Sequence, residues 1–222
     1  MTSIGSYAFQ GCYSLASVTI PNSILNIESR AFYYCHALAS VTIPSSVTSV
    51  GSYAFYYCYA LASVTIPNTV NSIGTRAFYY CYSLASITIP SSITSIENST
   101  FCNCYSLASV TLPSSVTIIG QNAFQNCSSL ASITLPSSLT SSYVYSFSSC
   151  FSLASIAIPS SLTTISGNMF TSCYGLKTFD FRRSTSVPKL VDVNAFSGTP
   201  TEKEIVVPDE LYDTWIEASN WN

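Results

Sequence analysis

Along most of this chain, apolar side chains recur in a fixed pattern rather than in helical or strand stretches of variable length. In Pro44–Ile66, counted as positions 1 to 23, they occupy position 4 (Val47), 7 (Val50), 11 and 12 (Ala54, Phe55), 15 (Cys58), 18 (Leu61), 21 (Val64) and 23 (Ile66). The end of this unit, Leu-Ala-Ser-Val-Thr-Ile, alternates with period two and is rich in β-branched residues, which predicts a strand. The proline that follows removes a ladder donor and ends it. Positions 11, 15 and 18 follow an i, i+4, i+7 spacing, which predicts a short helical or 3-10 turn carrying Ala54, Cys58 and Leu61 inward.

The pattern repeats without slippage. Prolines recur once per unit, at Pro21, Pro44, Pro67, Pro90, Pro113, Pro136 and Pro159, and cysteines keep the same interval from Cys12 to Cys173. A phenylalanine precedes each of these cysteines by three residues, from Phe9 to Phe170. Such a period predicts a solenoid in which each unit buries its apolar face against its neighbours. Stacked units align their strands into a parallel sheet, with a right-handed crossover expected. Like then stacks on like, so the phenylalanines form an aromatic spine. At ~4.8 Å per strand, about nine units make a rod on the order of 45 Å long.

Composition sharpens this. Of 222 residues, 8% are charged, against roughly 25% in an average protein. Residues 1–176 hold only Glu28, Arg30, Arg76 and Glu97, whereas residues 177–222 hold the other 13 of 17 charges. The net charge of −3 offers no cationic surface to a nucleic acid backbone. No apolar run approaches the ~18 residues of a spanning helix, so membrane insertion is not expected. His36 is the single histidine, which argues against a histidine metal cage or a serine–histidine–aspartate triad. Neither an enzyme nor a bound cofactor is expected.

The strand Leu-x-x-Val-x-Ile (Leu61–Ile66) resembles that of leucine-rich repeats. The longer stretch Leu38–Cys58, with Ile-Pro after the strand and Ala-Phe-x-x-Cys before the next leucine, resembles the BspA-like, treponemal-type subfamily over roughly residues 1–208. That resemblance implies a leucine-rich repeat solenoid: a right-handed superhelix with a parallel sheet on its concave side, short helical or 3-10 turns and coil opposite, and a C-terminal cap. It also implies a microbial cell-surface or secreted protein used in adhesion or host interaction. The alternative is a stalk that holds another domain away from the cell. The partner expected is a protein or a glycan, and the chain itself a monomer or weakly self-associating.

The organisation reads as regular 23-residue units over residues 1–181 and a degenerate last unit with a cap over 182–222. Met1–Gly5 is in phase with Val47–Gly51, so the sequence begins in mid-unit without an N-terminal cap or signal peptide; a piece cut from a longer protein is expected, the alternative being an exposed edge. Ser142 replaces the apolar residue of position 7 and predicts the least regular turn. Arg182 replaces the proline, and Phe196 comes three positions later than the period requires. Asp209–Ser219, with Leu211, Trp215 and Ala218 at helical spacing and Asp209 as N-cap, predicts a capping helix.

Candidate chemistry is sparse. Eight cysteines form an inward column and read as small buried side chains rather than disulfides or metal ligands. Cys102, outside that column, is expected to be a partly exposed thiol. Serines at position 20 and threonines at position 22 form neutral hydroxyl ladders with no nearby base, which suits a solvated sheet surface. The Asn-x-Ser/Thr patterns at Asn98 and Asn126 read as coincidence, and Arg182–Arg183 as a solvated turn. Tyrosine is the exception. Positions 13, 14 and 16 carry Tyr33, Tyr34, Tyr56, Tyr57, Tyr59, Tyr79, Tyr80, Tyr82 and Tyr105, nine of 16 tyrosines, with His36 among them. Either they mark recent duplication of a tyrosine-rich unit, or stacking gathers them into a ligand-binding patch, since tyrosine is enriched in interfaces and stacks on sugars. Tyr34, Tyr57 and Tyr80 are the expected anchors.

Overall fold

The computed structural model describes residues 2–218. Its chain winds into a β-solenoid in which two ladders of parallel strands run the length of the molecule. The longer strands lie at positions 20–22 of each unit: Ser40–Thr42, Ser63–Thr65, Ser86–Thr88, Ser109–Thr111, Ser132–Ile133, Ser155–Ala157, Thr178–Asp180 and Glu204–Val206. They fall into three short parallel sheets. Register is equivalent on equivalent, as in Ser40↔Ser63, Val41↔Val64 and Thr42↔Thr65. In Ser40–Thr42, Ser86–Thr88 and Ser109–Thr111 the central side chain turns inward, while the flanking serine and threonine face water.

A second ladder, of two-residue strands at positions 6–7, runs from Ser3–Ile4 through Ser49–Val50 to Lys189–Leu190. The apolar pattern does not disclose it, because two residues are too few to show an alternation. Ser142 sits in this ladder, paired with Ile119. The turn expected to be least regular therefore keeps its register. Its buried hydroxyl is satisfied by the Ser146 hydroxyl at 2.8 Å, and Ser146 stands where most other units carry alanine. Two polar residues four apart thus replace two apolar ones without leaving a buried group unpaired.

Between the ladders, positions 9–16 form a run of turns with an alternating hydrogen-bond scheme. The amides of Ala54, Tyr56 and Cys58 close i→i−3 turns onto Gly51, Tyr53 and Phe55, the reach of a 3-10 helix. The amides between them, those of Tyr53, Phe55 and Tyr57, donate instead to Thr75, Ala77 and Tyr79 of the next coil. This geometry needs a left-handed residue at positions 10 and 14. Tyr53 and Tyr57 both have φ of 60°, and glycine fills position 14 at Gly11 and Gly198.

Packing follows the columns. Nine phenylalanines from Phe9 to Phe196 stack with centroids 5.0–6.1 Å apart and planes within 12° of parallel. Columns of Leu, Val and Ile lie beside them, nearly all buried. The cysteine column is buried from Cys35 to Cys173, as expected, and it does more than fill space. Each thiol donates to the carbonyl of the phenylalanine one unit and three residues back, as Cys58 Sγ does to Phe32 O at 3.3 Å and Cys104 Sγ to Phe78 O at 3.2 Å. Hydroxyls after the proline act similarly: Ser46 Oγ donates to Ile24 O and Ser115 Oγ to Ile93 O, both at 2.6 Å. These side chains tie each coil to its predecessor, so stability does not call on surface charge.

At the C-terminal end, Arg182 in the proline slot grips Asp180 through Nε (3.0 Å) and Nη2 (2.7 Å). That hydrogen-bonded guanidinium holds the Asp180 carboxyl below its ordinary range. The expected capping helix is a 3-10 turn, Asp209–Leu211, followed by an α-helix, Tyr212–Glu217. Pro208 precedes the turn and no side chain caps it, so Asp209 does not act as N-cap. Trp215 is buried over the Phe181 ring, 4.7 Å between centroids. The expected terminal residue, Ser219, lies outside the described residues.

Candidate functional site

The left-handed residues at positions 10 and 14 shape one flank of the solenoid. With them in place, the side chains of positions 10, 13, 14 and 16 stand side by side, and successive coils stack them into four columns. All nine tyrosines singled out by their spacing lie in these columns. Position 13 stacks Tyr33, Tyr56 and Tyr79 at 4.8 Å, within 7° of parallel. Position 14 stacks Tyr34, Tyr57 and Tyr80 at 5.0 and 4.6 Å. Position 16 runs Tyr13, His36, Tyr59, Tyr82, Tyr105 at 4.6–5.0 Å. Neighbouring columns meet edge to face, as Tyr56 and Tyr57 do at 4.4 Å and 89°. Offset stacks in one direction and T-shaped contacts in the other both suit the ring quadrupole.

Stacking decides which surface the rings offer. Tyr56 has Tyr33 on one face and Tyr79 on the other, Tyr57 has Tyr34 and Tyr80, and Tyr59 has His36 and Tyr82. These rings are half-buried by one another and present edges and hydroxyls. Open ring surface is left at the ends, at Tyr105 (40% exposed) and Tyr13 (59%). Burial pushes the phenol of Tyr79 up to about 12, with further contributions from Cys102 and the neighbouring tyrosines. Tyr82 is raised to about 12, first by burial and then by Tyr105 and Tyr80. Tyr56 is raised further still, by burial and by Tyr57. Burial thus favours the neutral phenol at Tyr56, Tyr79 and Tyr82.

The spacing did not disclose position 10. It alternates Tyr7, Arg30, Tyr53 and Arg76, and its pattern is invisible to a search for one recurring residue type. The Arg30 guanidinium lies 5.4 Å from the Tyr7 ring centroid and 4.7 Å from that of Tyr53; Arg76 lies 5.6 and 6.0 Å from Tyr53 and Tyr79. These are cation–π distances.

Cys102 corrects an expectation. It occupies the position-13 column after Tyr79, but it is 2% exposed. Its Sγ accepts from Asn103 Nδ2 at 3.3 Å and donates to Gln125 Oε1 at 3.7 Å. Burial raises its thiol to about 12. A short side chain in a slot shaped for tyrosine is roofed by its neighbours. Among the nine free cysteines, Cys12 is the one that is not buried.

The strand surface is more uniform. The serine and threonine ladders of the longer strands line an open groove of about 520 Å³ near Ser63–Thr65 and Ser86–Thr88. Among the described residues no three His, Cys, Asp or Glu side chains are grouped to hold a metal ion. No described helix is long and apolar enough to cross a membrane.

The solenoid has counterparts. Residues 1–108 and 94–215 match the BspA type leucine rich repeat region, in six copies. The chain belongs to this family of leucine-rich repeat proteins. A leucine-rich repeat protein of Bacteroides ovatus is 28% identical, with a TM-score of 0.75 over 94% of this chain and 64% of that one. The chain thus spans just under two thirds of that relative's length. The T. pallidum leucine-rich repeat protein is 26% identical, with a TM-score of 0.57 over 90% and 81% of the two chains. A leucine rich cell surface protein of Faecalibacterium prausnitzii is 25% identical, with a TM-score of 0.55 over 96% and 85%. No curated protein matches.

Proposed function

We propose that this chain is a non-catalytic binding module of a bacterial surface protein, that its aromatic flank is the contact face, and that its partner is a protein. The observation that carries this is the gathering of nine tyrosines into one contiguous array on one side of a rod whose longer strands present hydroxyls. Tyrosine offers large contact area at low conformational cost, with a hydrogen-bonding tip. The related cell surface protein of F. prausnitzii supports a surface location. Ring faces taken up by stacking favour a protein, which can use edges and hydroxyls, over a glycan, which stacks on open faces.

A binding screen of the triple variant Tyr34→Ser, Tyr57→Ser, Tyr80→Ser against host matrix proteins and glycans tests this. Partners captured by the parent chain should be lost while the circular dichroism spectrum persists; unchanged capture would remove the array as the site. A second reading, a spacer, draws on the same stacking, because rings that cover one another along the axis also stiffen the rod. Loss of thermal stability in the triple variant without loss of any partner would favour it.

A further inference from the structure

Position 10 adds charge to the aromatic flank. Arg30 and Arg76 are the only Lys or Arg residues in residues 1–176, and both flank Tyr53 in one column. Each is held in place within the protein. Arg30 Nη1 donates to the Tyr7 hydroxyl at 2.8 Å, and Arg76 Nη1 to the Tyr53 hydroxyl at 2.7 Å. Both residues are left-handed, with φ of 58° and 56°. Neither meets a carboxylate, since the one ion pair among the described residues is Arg182–Asp180. Glu28 and Glu97, the remaining charges of the body, stand two positions earlier in their units, and Glu97 accepts from Ser95 Oγ at 2.6 Å. A guanidinium immobilised through Nη1 alone keeps its remaining fork for an outside anion.

We propose that this flank binds an acidic polypeptide segment in polyproline II conformation, with carboxylates three residues apart, laid along the solenoid axis over Arg30, Tyr53 and Arg76. Two coils at ~4.8 Å each place the guanidinium groups about 10 Å apart. Polyproline II rises ~3.1 Å per residue with three residues per turn, so side chains at i and i+3 leave the same side about 9 Å apart. Aromatic-lined surfaces are an established way of holding that conformation. The tyrosine edges beside the arginines supply such a surface, and the arginines select its charge.

The proposal rests on the aromatic flank being the binding face. Fluorescence anisotropy with the full chain and a labelled (Glu-Pro-Pro)₃ peptide tests it, against a peptide of equal composition with its three glutamates adjacent. The spaced peptide should bind, and high salt should weaken it. Arg30→Gln with Arg76→Gln should weaken it about tenfold or more, because two charge-assisted contacts are lost. Equal affinity for both peptides, an unaffected double variant, or binding of a heparin oligosaccharide with none of the peptide would overturn the proposal. Should the tyrosine triple variant lose a partner that the arginine double variant keeps, the aromatic face stands and the acidic ligand falls.

Discussion

At the residue scale, the cysteine column shows how much one side chain can be asked to do. A methyl group would fill part of the same space, but it could not donate to the phenylalanine carbonyl of the preceding coil. That carbonyl already accepts from the backbone of its own turn, as Phe32 O does from Cys35 N at 3.2 Å, so the thiol supplies its second bond. The environment also silences the sulfur. Burial raises Cys35 to about 11 and Cys173 to about 12, so the reactive thiolate is scarce near neutral pH. A thiol-labelling titration on the native chain should therefore find about one accessible group, at Cys12, and none after Cys12→Ser; all nine should react on denaturation. Labelling of Cys102 in the native protein would contradict its buried position. Sequence made the column legible because it recurs once in every unit. It misplaced Cys102 because exposure of that slot depends on Asn103 and Gln125, which break the tyrosine pattern together with it. The left-handed residues were likewise hidden. Tyr, Arg, Asn and Ser occupy them, and the usual marker, glycine, appears only at Gly11 and Gly198.

At the element scale, the tyrosine columns behave as one object whose protonation is coupled to folding. Several of their phenols, Tyr79 and Tyr82 among them, are raised above the ordinary tyrosine value of about 10, so the folded state favours their neutral form. The resulting stability is complete below about pH 10 and is lost as pH climbs from there through about 12, where Tyr79 and Tyr82 ionise. An ultraviolet titration should show a late phenolate step above that of free tyrosine, with circular dichroism lost over the same interval. A single step at the free-tyrosine value with the fold intact would mean that the rings do not shield one another. That these nine residues meet was readable from their positions alone. How they meet was not, since face-to-face stacking depends on the backbone angles at positions 10 and 14. The two-residue strand ladder escaped for a related reason: it is defined by register between coils, and no single unit contains that information.

For the whole molecule, stability is a sum over neighbouring coils, and the ends are its weak points. Trp215 covers Phe181 at one end, within the part of the chain that carries most of the charge. Trp215→Ala should cost about 3–5 kcal/mol, and in a linear array that loss belongs to the last coils. Hydrogen exchange should show early opening around Glu204–Val206, while the core amides of Phe55 and Phe78 keep their protection. Loss of protection throughout would indicate that the rod folds as a single cooperative block.

The reach of the cysteine thiols also bears on how such a chain can change length. Through the regular coils each thiol spans one unit plus three residues, and each strand pairs at an offset of one unit. Excising Pro90–Leu112 would therefore bring Ile89 to Pro113 and hand the Cys127 thiol the carbonyl of Phe78 in place of Phe101. Every ladder would close on an equivalent partner. A deletion one residue shorter would put the two coils at the junction out of register with each other. In a gene built from near-identical segments, unequal crossing-over yields whole-unit gains and losses, and those leave every pairing of the regular coils intact. Copy number is then the coordinate along which lineages can lengthen or shorten the rod, and move the aromatic face along it, without having to refold it.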